Sequence, residues 1–223
     1  MRNTLTSPGI AVALALCLAV LGGCGCEDGS ETMTIEAPTN ADFYKADGTF
    51  DADKAKAAYY ALMEFHNYPI PEFLKGDDFW TLDFGLGQFA EAGMAGVFWI
   101  NNEEDDYMGH EIFLLPGQMI PEHWHVPTEK ARAKMEAWHL RHGSVTLVGE
   151  GEPTEGFEIP PLHKDIAVAR TAKVLKPGET YALPAALEKH WMVAGPEGAI
   201  VSEYASAHDM AGLRFSHPEI SLD

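Results

Sequence analysis

Cysteine is scarce in this chain. Three of its 223 residues are Cys, at Cys17, Cys24 and Cys26. Everything beyond them lacks a thiol, so no internal disulfide framework is possible there and a soft thiolate metal site is excluded. The fold must rest on its apolar core. Positive charge is also in short supply. Lys and Arg number 15 against 34 Asp and Glu, for a formal net charge of -19. Such a surface repels phosphate backbones and argues against nucleic acid as a partner, whereas a neutral sugar is indifferent to it. No apolar run is long enough to span a bilayer. The longest unbroken one is Ile10 to Leu21, the length of a signal-peptide core. Internal repeats and low-complexity tracts are missing from the body of the chain. What is present is 46% hydrophobic residues, spread throughout. That is enough for one ordinary core and is no signature of disorder.

The ends and the body have different characters. Arg2 precedes the apolar run, which closes in Leu21-Gly22-Gly23-Cys24. This is similar to a bacterial lipobox, which implies cleavage before Cys24 and lipidation of its thiol. Residues 1–23 are then a lipoprotein signal peptide, and the mature protein is exported and lipid-anchored to the bacterial cell envelope. One acyl chain holds weakly, at about 0.8 kcal/mol per buried CH2, and several hold firmly. Residues 24–40 are polar and poor in aromatics, the composition of a flexible tether. Residues 41–223 are expected to form a single domain.

Within that domain, Asp51 is a candidate N-cap for ADKAKAAYYALMEFH. Ala55, Tyr59, Leu62, Met63 and His66 recur at helical spacing, and Pro69 and Pro71 forbid continuation. His66 near that apolar face reads as structural. Phe79 to Phe89 is aromatic with two Gly and reads as strand and turn. Short strands follow: 96–100, 111–115, 122–126, 136–140, 144–148, 166–175, 180–183, 190–194 and 199–205. Asn101-Asn102, Pro116-Gly117, residues 149–151, Pro177-Gly178 and Gly195-Pro196 punctuate them. Many short strands at this spacing predict an all-β sandwich or small barrel. The acidic run at residues 102–106 reads as a solvated turn, since its spacing is not that of an EF-hand loop.

Chemistry concentrates in residues 117–143. His123 and His125 stand i, i+2, so on a strand both imidazoles share a face. Glu136 follows, with Gly143 beyond it, and a further imidazole, His190, lies in ALEKHWMVAG. Three imidazoles and a carboxylate suit a borderline or hard divalent metal. Glu129 is the rival carboxylate, but it sits in VPTEKARA, which reads as an excursion between strands. Any one of these His could be a satisfied core residue. The four together point to a metal.

The spacing resembles the two motifs of the cupin family. The first is a Gly, His-x-His, then a Glu separated by six residues from a Gly; the second is Pro-Gly, a Pro and a last His, here Pro177, Gly178, Pro184 and His190. Usual cupins leave three or four residues between the second His and the Glu, a spacing that Glu129 fits, but the residue seven beyond Glu129 is Glu136 and not Gly. The longer gap here, LLPGQMIPEHWH and the Lys-x-Glu at Lys134 and Glu136 are similar to the cupin-type D-lyxose isomerases. The resemblance spans Tyr107 to Phe215. It implies a cupin jelly-roll β-barrel, here with an N-terminal helical extension. His123 and His125 are expected on a strand adjacent to that of Glu136, with His190 across the barrel. The resemblance also implies manganese as the ion, with Fe2+ or Zn2+ as alternatives, and a homodimer as a common assembly. Four protein ligands on a six-coordinate ion leave two positions, suited to neighbouring sugar oxygens.

Aldose–ketose isomerisation also needs a proton carrier. Glu203, in AIVSEYASAHD, shares a face with Val201 and Ala205 and is the candidate base; an edge-strand surface carboxylate is the competing reading. The segment SEYAS resembles the stretch lining the sugar pocket of those isomerases. Lys134, on the parity of Glu136, is the candidate donor, or else an exposed lysine. Trp138 is inward by the same parity, as a sugar-stacking wall or as core packing. His208 and Asp209 form a pocket rim or only cap a turn. His110, His142, His163 and His217 read as structural. The expected function is metal-dependent isomerisation of a lyxose- or mannose-like aldose through an enediol. Alternatives are an iron-dependent dioxygenase and a non-catalytic envelope cupin that binds metal or sugar.

Overall fold

The computed structural model describes residues 35–222. The expected signal segment, Cys24 and the start of the tether lie outside them. Helix α1 spans Ala52–Phe65. Asp51 caps it as expected, its carboxylate accepting from the Lys54 amide. Nine strands follow: β1 (Trp80–Leu82), β2 (Met94–Asn102), β3 (Tyr107–Leu114), β4 (Met119–His125), β5 (Glu136–Gly149), β6 (Thr171–Leu175), β7 (Thr180–Ala182), β8 (His190–Ala205) and β9 (Leu213–Phe215). They form one curled antiparallel sheet, a cupin barrel. Strand β8 is its hub. Its first residues pair with β4, its last with β3, and β5 runs along nearly all of it.

Alternation sorts the side chains into two cores. Ile112 and Leu114 of β3, Trp138 and Leu140 of β5, and Met192 and Val201 of β8 fill the barrel. The residues between them point outward. Ala95, Val97, Phe113 and Ile200 pack under α1, against Tyr59, Leu62 and Met63. The helix thus covers an outer face of the sheet and leaves the interior to the site.

Three expectations about strands are corrected. Residues 136–140 and 144–148 are one strand, and so are 190–194 and 199–205. The intervening glycines bend the strands without ending them. Gly143 and Gly198 both have positive φ, 74° and 69°. A Cβ on Gly143 would stand 2.0 Å from the Gly198 carbonyl oxygen. Register shifts at this corner mark bulges, which glycine permits because it tolerates left-handed backbone. The third correction concerns residues 166–175, where only 171–175 is strand.

Candidate active site

His123, His125, Glu136 and His190 converge inside the barrel. One ligand atom from each lies within 4.8 Å of the others, and all four residues are buried. The route to this cluster differs from expectation. His190 is directly opposite His123 in the β4–β8 ladder, so it is a neighbour and not across the barrel. Glu136 opens β5, which pairs with β8 and not with β4. Strand β8 is the common neighbour that brings the motifs together.

The imidazoles are oriented by backbone. His123 Nδ1 lies 2.9 Å from the Pro121 carbonyl oxygen, and His190 Nδ1 lies 2.9 Å from that of Glu188. A carbonyl only accepts, so each Nδ1 carries a proton and each Nε2 is turned to the cluster. Glu136 Oε1 is 3.4 Å from His125 Nε2, and Oε2 is 3.2 Å from His190 Nε2. That second pair is not in hydrogen-bonding geometry, and both atoms are buried without another partner. Buried orphans of this kind need an explanation, and a bound cation supplies one. Electrostatics agree. Burial foremost, helped by the neighbouring imidazoles, holds His123 well below the usual histidine range. Burial also lowers His125. Burial opposes ionisation of Glu136, yet Lys134 and His190 outweigh it and keep the carboxyl well below its usual value. At His190 burial is in turn outweighed by the Glu136 carboxylate, which raises it. His123 and His125 are thus neutral and Glu136 is ionised, the states in which these side chains donate to a metal, and the four donors could hold a divalent ion.

Beside it lies a second polar group. Lys134 Nζ donates to Glu136 Oε1 at 3.0 Å and to Glu203 Oε1 at 2.5 Å. All three side chains are buried. Burial alone would lower the Lys134 pKa, but the Glu203 and Glu136 carboxylates raise it, so the ammonium persists. Burial alone would raise Glu203, but Lys134, together with a hydrogen bond from His110, lowers it, so the carboxylate stays ionised. Neither residue is on the surface, which removes the bland readings of both.

His110, expected to be structural, touches this group. Its Nδ1 lies 3.1 Å from Glu203 Oε2. The parity of His110 with Ile112 and Leu114 was the available signal. Trp138 is buried and lines the cavity, as does His208, whose ring stands 5.6 Å from that of His125. Burial foremost pushes His208 down to about 3, so it is neutral. Asp209 does not line the cavity. Its carboxylate accepts from Thr128 Oγ1 and from the Ala211 amide, and so caps a short turn. Glu129 is exposed and outside the cluster. His163 and His217 are buried elsewhere, and His142 sits beside His66. The cavity measures about 250 Å³, room for a small ligand. It has a polar end at the two clusters and apolar walls that include Phe84, Met94 and Phe215.

No family model matches the chain. Individual relatives do. The D-lyxose ketol-isomerase of Cohnella laeviribosi is 43% identical over 140 residues, which cover 62% of this chain and 75% of that protein. The D-lyxose/D-mannose isomerase of Thermosediminibacter oceani is 39% identical over 165 residues, 73% of this chain and 88% of that one. Among solved structures, L-ribose isomerase of Cellulomonas parahominis superposes with a TM-score of 0.60 at 14% identity, covering 81% of this chain and 96% of that one. L-ribose isomerase of Acinetobacter sp. DL28 gives 0.59 at 15%, covering 83% and 96%. At such identity the structural likeness speaks for the fold, while the sequence relatives speak for the chemistry. This chain belongs to the D-lyxose ketol-isomerase family and is a sugar aldose–ketose isomerase built on a cupin barrel.

Proposed function

We propose that the protein interconverts D-lyxose and D-xylulose, and D-mannose and D-fructose, with Glu203 as base and Lys134 as proton donor. The observation that carries this reading is the buried chain of contacts from Glu203 through Lys134 to Glu136. It couples an ionised carboxylate and an ammonium to the four-ligand cluster. His123, His125, Glu136 and His190 would hold a divalent ion, manganese by the family resemblance, which when bound polarises the sugar carbonyl and acidifies the adjacent hydroxyl.

The chain's own groups then balance the reaction. Glu203 takes hydrogen from C2 as a proton while the Lys134 ammonium donates to O1, leaving an enediol. Lys134 recovers a proton from O2 as Glu203 returns its own to C1, and the aldose has become a ketose. Burial excludes water from the carboxylate that carries the proton. His208, neutral at working pH, and Trp138 flank the reacting end, where they orient the sugar.

Two substitutions separate the roles. Glu136→Gln is expected to lose bound metal and activity together. Glu203→Gln is expected to keep the metal and lose about 100-fold or more in kcat, as for removal of a general base. The measurements are metal content of the purified protein and ketose formation from a panel of aldoses. A Glu203→Gln variant as active as the parent would refute the assignment of the base.

A further inference from the structure

We propose that His110 is the positioning residue of the base: its imidazole locks the rotation of the Glu203 carboxylate, and Gly96 is kept small to seat that imidazole. The inference rests on the reading of Glu203 as base. It goes beyond it by naming what aims the base and what makes room for the aiming group.

The strands bring these residues into one row. Phe98 of β2 is opposite His110 of β3, which is opposite Glu203 of β8, which is opposite Trp138 of β5. Glu203 Oε1 is taken by Lys134 and Oε2 by His110 Nδ1. The carboxylate only accepts, so His110 carries its proton on Nδ1. The terminal torsion of a glutamate is soft. Held by Lys134 alone, the carboxylate could swing about that single contact. Held at both oxygens, its plane is fixed and the spare lone pairs keep one direction into the cavity.

His110 is itself held with little freedom. Its ring packs with two aromatic rings, Phe98 at 4.4 Å and 15° and Trp80 at 5.5 Å and 21°, which also touch each other at 6.0 Å, so the three form one cluster. Its far nitrogen, Nε2, is buried and has no hydrogen-bond partner. A carbocyclic ring would fill the slot without burying an unpaired nitrogen, so what the imidazole adds there is the Nδ1–H given to Glu203. The slot ends at Gly96. A Cβ at that position would stand 2.3 Å from His110 Nε2 and 2.6 Å from the Trp80 ring. Gly96 has an ordinary strand backbone, so glycine is required by the approach of the imidazole and not by φ.

The test compares four variants of the full chain by metal content, KM and kcat on D-lyxose. His110→Phe keeps the stacked ring and removes the donor. It should retain metal, keep KM within about twofold and lose about 10- to 100-fold in kcat, the scale of a misaimed catalytic group. His110→Asn restores an N–H near the place of Nδ1 and should recover most of that loss. Gly96→Ala touches neither Glu203 nor Lys134, yet should displace the imidazole and lower kcat in the same way, which keeps the comparison open if His110→Phe folds poorly. A His110→Phe protein with the parent's kcat overturns the proposal, as does equal impairment of the Phe and Asn variants, which would make the ring mere packing. Glu203→Gln is the control. If it stays active, the base itself is misassigned and the positioning role falls with it. If it loses turnover while His110→Phe keeps the parent's kcat, only the positioning role falls.

Discussion

Lys134 is the residue on which the charges of the site balance. It stands between two buried carboxylates and touches both, at 3.0 Å and 2.5 Å. Lys134→Met would leave Glu136 and Glu203 facing each other's charge without it, so one would take up a proton at neutral pH. We expect kcat to fall by about 100-fold or more, and unfolding free energy to fall by about 3–5 kcal/mol, the usual cost of breaking a buried ion pair. Steady-state kinetics and urea unfolding check both. A variant that turns over as fast as the parent would remove Lys134 from the chemistry. His163 is a different case. Its Nε2 accepts from the Glu122 amide at 2.8 Å, and its ring meets the edge of Trp191. Burial foremost pushes it from 6.5 to about 4. The unfolded chain therefore binds this proton more readily than the folded one. The contribution to stability is complete above pH 6.5 and declines as pH falls towards 4, by at most about 3 kcal/mol. Urea unfolding at pH 7 and pH 4.5 should show the decline in the parent and a smaller one in His163→Gln. Of the histidines outside the metal motif, His163 was legible as structural because nothing near it in sequence suggested chemistry. The contact of His110 with Glu203 is not legible in the sequence, because the two are distant in the chain and only the β3–β8 ladder brings them together.

Among the elements, α1 was the easiest to foresee. Its cap, its apolar stripe and the prolines beyond it are local features, and local features survive in any tertiary context. What it covers was not local. Leu62 packs in the cluster with Phe113 and Ile200, and its side chain crowds Gly198 at the β5–β8 corner. Tyr59 Oη donates to buried Gln118 Oε1 at 2.6 Å, tying helix to barrel. Leu62→Ala should cost about 2–5 kcal/mol by transfer and cavity terms. Below its melting temperature it should leave metal content unchanged, because the helix sits on the outer face and the ligands on the inner one. Thermal unfolding with metal analysis separates the two effects. The long strands were harder. Turn residues normally end a strand, and Gly195-Pro196 is expected to do so, while Gly143 falls in the gap between two expected strands. In a closed barrel the same residues serve as bulges that let β5 and β8 turn a corner while still paired.

For the molecule as a whole, the cation is expected to be part of the stability. Three histidines and a carboxylate crowd one another inside the barrel, and a ligand that binds only the folded state adds free energy by mass action. Treatment with a chelator should lower the melting temperature and abolish turnover together. Manganese at about 100 times its dissociation constant should restore about 2.7 kcal/mol. Melting curves with and without chelator, followed by readdition of metal, test this. An unchanged melting temperature after verified metal removal would mean that the barrel holds its ligands in place unaided.

By itself the sequence determined the class of fold, the helix, and the four side chains that gather in the barrel. These are matters of residue type, of alternation and of spacing, and for the barrel and its four ligands of the resemblance to the two cupin motifs. The pairing of strands was decided only in three dimensions. Which of β3, β4 and β5 lies beside β8 depends on contacts between residues far apart in the chain, and no local periodicity encodes them. From that pairing follow the place of His190 beside His123, the burial of Lys134 between two carboxylates, and the seat of His110 above Gly96.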